Sequence, residues 1–235
     1  MHLPLPTVVA LSGLALLGPL PAGAAEVALD VGHGLVDVGA MSARGRGEHE
    51  FNRALAPVVQ QALEARGVTV RPINYDGKIR SLSARPEAAQ GADLFISLHH
   101  DSVPAYELSP WVWQEKRLDY CDKYSGFSLH VSRRNPAPDI SGGCASAIGA
   151  SMRLAGFVPT RHHYPKHPWA DEDNAVHWHD NLVVLHRTTL PAVLFEAGVI
   201  KHRDEELLLS DPARMARMAD AIATGVAACL YAMPR

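Results

Sequence analysis

Four polar side chains in this chain stand where apolar runs stop. His33 sits between two glycines in EVALDVGHGLVDVGA, residues 26–40. Glu48 opens the next helical pattern, His99 follows LFISL, and Glu196 closes AVLF. Two imidazoles and a carboxylate form a donor set for a catalytic zinc, which takes three such ligands and keeps one position for water. A metal on His33, Glu48 and His99 would bring the pKa of its water toward ~7 and polarise a carbonyl. A carboxylate outside the set must then take the water's proton and return it to a leaving amine. Glu196 suits that role, because partial burial raises a carboxyl pKa toward the working pH. Each residue alone has a plainer reading. The glycines could make a turn in which His33 is incidental, Glu48 could be a helix-start acid favoured by the macrodipole, and Glu196 could be an ion-pair partner.

These residues need a scaffold that brings strand ends together. Strands are predicted at 27–31, 68–73, 93–98, 127–132 and 192–196, and helices at 50–67, 81–91, 146–156 and 211–233. The first helix has apolar spacing at Phe51, Leu55, Val58, Val59 and Leu63, stops at Gly67, and carries Pro57, expected to kink it or delay its start. The run DLFISL is continuously apolar, as in a strand covered on both faces. Strand–helix alternation predicts an α/β fold with a mostly parallel central sheet flanked by helices. Sites on such sheets gather at the carboxyl ends of strands, where His33, His99 and Glu196 fall.

The chain has 235 residues, 47% apolar and 20% charged, enough for a substantial core in a single domain. A net charge of -3 gives no polyanion-binding signature, so nucleic acid is not an expected partner. Residues 1–25 read as a signal peptide: an apolar stretch over 8–17, then Ala22-Gly23-Ala24 as a small-residue cleavage pattern. The apolar part is short and Pro4, Pro6, Pro19 and Pro21 shorten it further, which argues against a membrane anchor. Residues 26–235 would be the exported domain, periplasmic or secreted, with no membrane span after cleavage. Three cysteines are an odd count for such a chain. Cys121 and Cys144 share a region and could pair, whereas Cys229, in an apolar helical pattern, is expected buried and free.

The blocks LDVGHG, DVGA, GEHEFNRALA, SLSAR, ADLFISLHHDS and NLVVLHRTTLPAVLFEAGVI, in this order, resemble the zinc-dependent N-acetylmuramoyl-L-alanine amidases of the amidase_3 type. The resemblance runs over about residues 26–230, nearly the whole exported part. It implies a single α/β domain with a roughly six-stranded sheet and a Zn2+ cofactor on His33, Glu48 and His99. It also implies that Glu196 is the catalytic glutamate. The implied reaction cuts the amide between the lactyl group of N-acetylmuramic acid and L-alanine in peptidoglycan strands. The sequence departs from the family at several places. His49 stands for the lysine after the zinc glutamate, Glu50 for the acid after it, and His100 for a small residue after His99. Gly198-Val199 and His202 depart near the catalytic glutamate. Glu50 is therefore a rival ligand, and of His99 and His100 only one should reach a metal, because neighbours on a strand face opposite ways.

Other residues carry two readings. Asp30 is either a partner behind a ligand histidine or a turn residue. Arg85 is either a fork for a substrate carboxylate or part of a structural pair. Asn181, before a strand-like LVVL, is assigned no chemistry. Residues 105–180 hold Trp111, Trp113, Trp169 and Trp178, with His162, His163, His167, His177 and His179. They read as surface loops, as a glycan-peptide groove, or, least favoured, as a second metal site. Relatives can carry an autoinhibitory helix here, and 109–124 has some helical spacing, too short to be assigned as a plug. No separate wall-targeting domain is visible, so targeting would come from the catalytic surface or from an activator protein. Two other functions fit the same residues: an amidase or peptidase on soluble muropeptides, and an inactive peptidoglycan-binding domain.

Overall fold

The first strand, β1 (Glu26–Val31), is buried on both faces, as its unbroken apolar run requires. This computed structural model describes residues 25–163 and 165–234, so the expected signal peptide lies outside the described residues except for Ala25. After β1 come α1 (Glu48–Glu64), β2 (Thr69–Ile73), α2 (Ala84–Ala88) and β3 (Leu94–Asp101). A hairpin, β4 (Ser109–Trp113) and β5 (Lys116–Tyr120), is followed by β6 (Ser128–Val131) and α3 (Pro138–Leu154). The chain continues through β7 (Trp169–Asp171), β8 (Val176–Trp178), α4 (Val183–His186), β9 (Ala192–Val199), α5 (Arg203–Leu209) and α6 (Pro212–Ala232).

The central sheet has seven strands rather than six, in the order β2-β1-β3-β9-β6-β8-β7. Strands β2, β1, β3 and β9 are mutually parallel, β6 runs antiparallel to β9, and β7 is antiparallel to β8. Alternation along the strands sorts the side chains onto two faces. Val27, Leu29, Leu94, Ile96, Val193 and Phe195 pack in one core with α1, α3 and α6. Ala28, Phe95, Ala192 and Leu194 pack in a smaller one under the short helices α2 and α4. The three long helices thus lie together on one face. The other face is thinly covered, and toward the carboxyl ends of β1, β3 and β9 its apolar residues give way to Asp30, Ser97, His99 and Glu196.

Local chemistry accounts for several differences from the expected elements. Helix α1 begins at Glu48 and runs through Pro57, which is exposed, so water can meet the carbonyl that proline leaves free. Helix α3 starts earlier than its apolar spacing suggests, with Pro138 at its first turn, and Gly142-Gly143 dilute the pattern. Residues 109–120 are a hairpin, not a helix, closed by Gln114 and Glu115, both at positive φ. The LVVL run is a helical turn rather than a strand. Helix α6 is capped by the Asp211 side chain, which accepts from the Arg214 N–H at 2.7 Å. Among the described residues no helix is long and apolar enough to cross a membrane.

The cysteine pairing also differs. Cys144 on α3 is bonded to Cys229 on α6, with Cα atoms 4.9 Å apart, and Cys121 is the buried free thiol. The reason is helix contact. A Cβ on Gly225 would lie 2.5 Å from Ile148 Cα, so the two backbones touch there. One turn away in opposite directions stand Cys229 and Cys144, which an antiparallel crossing brings face to face.

Candidate metal centre and active site

The turn after β1 is held in an unfavourable conformation by side chains from elsewhere. His33, not either flanking glycine, takes the left-handed conformation, with φ of 61°. Such a residue costs on the order of 1 kcal/mol and persists only where its surroundings over-determine it. Here Asn74 donates to the carbonyls of Val31 (2.8 Å) and His33 (2.6 Å). Arg85, from α2, donates to the same two carbonyls. Gly32 serves another purpose: a Cβ there would lie 2.5 Å from the His99 ring. The glycine lets the two histidines approach, with ring centroids 5.1 Å apart and nearly perpendicular.

His33, Glu48 and His99 come together at the sheet edge. Glu48 Oε2 lies 3.0 Å from His33 Nε2, and its Oε1 lies 2.9 Å from His99 Nδ1. One donor atom from each of the three residues lies within 4.8 Å of the others. Burial pushes the Glu48 carboxyl up, but hydrogen bonds from His33 and His99 outweigh it and hold the group well below the usual carboxylate range. Burial works against a charged His33 ring, while Glu48 draws its pKa above the usual value. The rival Glu50 is exposed and faces Arg46 at 3.6 Å, because two residues further along a helix is a different face. His100 points into the opposite core against Phe51. There burial drives its pKa down to about 3, and it donates from Nδ1 to Asn52 Oδ1 at 2.7 Å.

Glu196 is registered directly beside His99 across the β3–β9 ladder. Its Oε2 is closed off from solvent without a hydrogen-bond partner. Burial, and then the negative charges of Asp101 and Glu48, raise its pKa well above the usual carboxyl range. His33, Glu48, His99, Asp101 and Glu196 all line one cleft of about 640 Å³. A carboxyl held ready to carry a proton beside a His/Glu donor set is what hydrolysis of an amide needs.

Arg85 is buried, 4% exposed, and its fork faces the protein: the turn carbonyls named above and Asp30 Oδ2 at 3.7 Å. Asp30 is fully buried, accepts from Ser97 Oγ at 2.6 Å, and makes no hydrogen bond to His33 or His99. Burial raises its carboxyl pKa against the opposing charge of Arg85.

Sequence reasoning missed Asn52 and His49. Asn52 Nδ2 donates to Glu48 Oε1 (3.3 Å) and to the Gly32 carbonyl (3.1 Å), and His49 Nδ1 lies 3.0 Å from that same carbonyl. Asn52 lies four residues after Glu48, one helical turn along the same face, a signal the spacing did carry. The tryptophans of the hairpin do not line the cleft. Trp111 donates from Nε1 to the Ala43 carbonyl at 2.9 Å and stacks with Trp113 under Arg44. The histidines of 130–179 form a separate ring cluster on the thinly covered face.

An open α/β sheet with two imidazoles, a carboxylate and a buried glutamate at the carboxyl ends of its central strands fits a hydrolase. A family model described as Amidase_3, N-acetylmuramoyl-L-alanine amidase, matches residues 27–228, and the chain belongs to that family of enzymes acting on peptidoglycan. It is similar to the N-acetylmuramoyl-L-alanine amidase AmiA of Escherichia coli, at 28% identity covering 87% of this chain and 75% of the relative. The fold is shared with an N-acetylmuramoyl-L-alanine amidase from Clostridium difficile 630: TM-score 0.71, 21% identity, 91% of this chain and 100% of that one. It is also shared with the CwlD amidase of Clostridioides difficile, solved in complex with the GerS lipoprotein: TM-score 0.68, 20% identity, 89% of this chain and 100% of that one.

Proposed function

We propose that His33, Glu48 and His99 hold the catalytic zinc of this amidase and that Glu196 is its general base and acid. The observation that carries the assignment is one buried carboxylate meeting both imidazoles, 3.0 and 2.9 Å away, beside a second carboxyl without a partner. The donor set fits the ion, since two imidazoles and a carboxylate suit zinc and leave a position open. Zinc bound there would polarise the scissile carbonyl and acidify water. Glu196 takes a proton from the attacking water as its oxygen bonds to the lactyl carbonyl carbon. As the C–N bond breaks, Glu196 returns that proton to the nitrogen of L-alanine, leaving a lactyl carboxylic acid and an amine, which settle as carboxylate and ammonium once the acid's proton passes to the amine. Burial and the neighbouring negative charges raise its pKa, which favours its holding the proton between the two steps. Asn52 and the clamped turn of His33 hold the ligands in place.

The reading includes export, with residues 1–25 as the signal peptide, and intact peptidoglycan strands rather than soluble muropeptides as substrate. The CwlD–GerS complex is a precedent for a protein partner, and it supports an activator of this enzyme as well. Purified protein is incubated with sacculi and with soluble muropeptides, with and without a chelator. Glu196→Ala runs beside it, and products are identified by mass spectrometry. Stem peptides with a free L-alanine amine should come from metal-loaded wild type alone, and Glu196→Ala should lose about 10²–10⁴-fold in kcat with its metal retained. Turnover indifferent to the chelator, or an unimpaired Glu196→Ala, overturns the assignment. Cleavage confined to soluble muropeptides overturns the substrate choice and leaves the site standing.

A further inference from the structure

We propose that Asp101, His162 and His163 form a second metal site of this enzyme, for a divalent first-row transition ion of the zinc class. The site stands on its own residues and not on the roles assigned above.

Asp101 is the last residue of β3, beyond an irregularity in the β3–β9 register that follows His99. It is 8% exposed. Its Oδ1 accepts from the Ser102 backbone N–H at 2.7 Å, which leaves Oδ2 turned the other way. Two imidazoles meet that oxygen: His163 Nε2 at 2.7 Å and His162 Nε2 at 3.3 Å. The donor atoms lie within 4.8 Å of one another. Among the described residues no lysine or arginine pairs with Asp101, so no fixed cation compensates this buried carboxylate. A buried charge without such a partner is costly, and a divalent ion shared with two imidazoles removes the cost.

The second imidazole is the independent sign of a ligand. The His162 side chain is only 4% exposed, and its Nε2 faces Asp101 Oδ2 at 3.3 Å without the alignment of a hydrogen bond to it. A simple Asp101–His163 hydrogen bond accounts for one ring and does not account for a second imidazole aimed at the same carboxylate oxygen. His162 is aimed deliberately, because Thr160 Oγ1 lies 2.9 Å from its Nδ1 and fixes the ring with Nε2 inward. This is the arrangement by which an outer hydrogen bond orients a metal-ligating histidine. The ring is also packed against Tyr124, with centroids 5.0 Å apart. His163 is wedged edge-on against His130, 4.7 Å away, and His177, 5.3 Å away.

Two imidazole nitrogens and one carboxylate select zinc-class ions over calcium or magnesium, which prefer all-oxygen shells. Such an ion would tie residues 160–163, in the connection between α3 and β7, to the end of β3 at the wall of the cleft.

The purified protein is stripped with chelator, reloaded with Zn2+, passed through gel filtration, and its metal counted by mass spectrometry. Wild type should carry two equivalents. Glu48→Gln and the double variant His162→Ala/His163→Ala should each carry one, and their combination none. Zinc-soaked wild-type crystals should give an anomalous peak against Asp101, His162 and His163, a readout that needs no variant to fold. The proposal is overturned if wild type carries one equivalent that Glu48→Gln loses, or if the double variant still carries two. It is also overturned if the anomalous map shows density only at His33, Glu48 and His99. If Glu48→Gln keeps both equivalents while the double variant loses one, this site stands and the first assignment falls.

Discussion

The cross-link between α3 and α6 makes a quantitative prediction that reduction alone can test. The bond joins residues 85 apart in the chain, so it closes a long loop in the unfolded state. The loop-closure treatment gives about 4–5 kcal/mol at 25 °C for a loop of that length. The oxidised and reduced forms have the same side chains, so the difference isolates the cross-link from packing. Urea unfolding of chelator-stripped protein, with and without a phosphine reductant, should show the reduced midpoint lower by roughly 2 M, taking m at about 2 kcal/mol/M. Unfolded, unreduced protein should titrate a single thiol, and peptide mapping should place it at Cys121. Coincident midpoints would refute the loop argument. Three thiols, or a mapped Cys121–Cys144 link, would refute the helix contact on which it rests.

Acid should weaken the fold through His100. Burial lowers its folded pKa to about 3 from 6.5, so below 6.5 the unfolded chain binds a proton that the folded one does not. Stability is then lost as pH falls from about 6.5 toward about 3. This group alone accounts for about 2 kcal/mol by pH 5, which a comparison of wild type and His100→Gln by urea unfolding at pH 8 and pH 5 should reveal as a shallower slope in the variant. Replacing Asn52 with leucine strands His100 Nδ1 and removes one of the donors to Glu48 Oε1 and to the Gly32 carbonyl, which keep His99 and His49 as partners. Zinc affinity at the first site should fall about 10–100-fold and stability by about 1–3 kcal/mol. Unchanged affinity in a competition titration would remove Asn52 from the site.

Much of the scaffold was legible because it depends on short-range pattern. An apolar run that ends in a polar residue marks the carboxyl end of a strand, and period-two alternation then places His33, His99 and Glu196 at one edge. Position along a helix likewise made Glu48 and Glu50 mutually exclusive, and alternation did the same for His99 and His100. Short-range pattern is silent where the partner is distant. It missed the 109–120 hairpin, whose tryptophans are held by Ala43 and Arg44, and it missed the strands β7 and β8, each three residues long.

Residue types and their order by themselves determined the α/β class and narrowed the candidate donors to His33, Glu48 or Glu50, and His99 or His100, with Glu196 at a neighbouring strand end, because those follow from hydrophobic periodicity and from where apolar runs stop. Tertiary structure decided which alternative is real. Glu48 rather than Glu50 meets both imidazoles, Cys144 finds Cys229, and His33 rather than a glycine takes the strained backbone because Asn74 and Arg85 clamp it there. Asp101 meets His162 and His163 across 61 and 62 positions of chain. Such pairings are set by helix contact and sheet register between distant segments, which no local pattern of residues encodes.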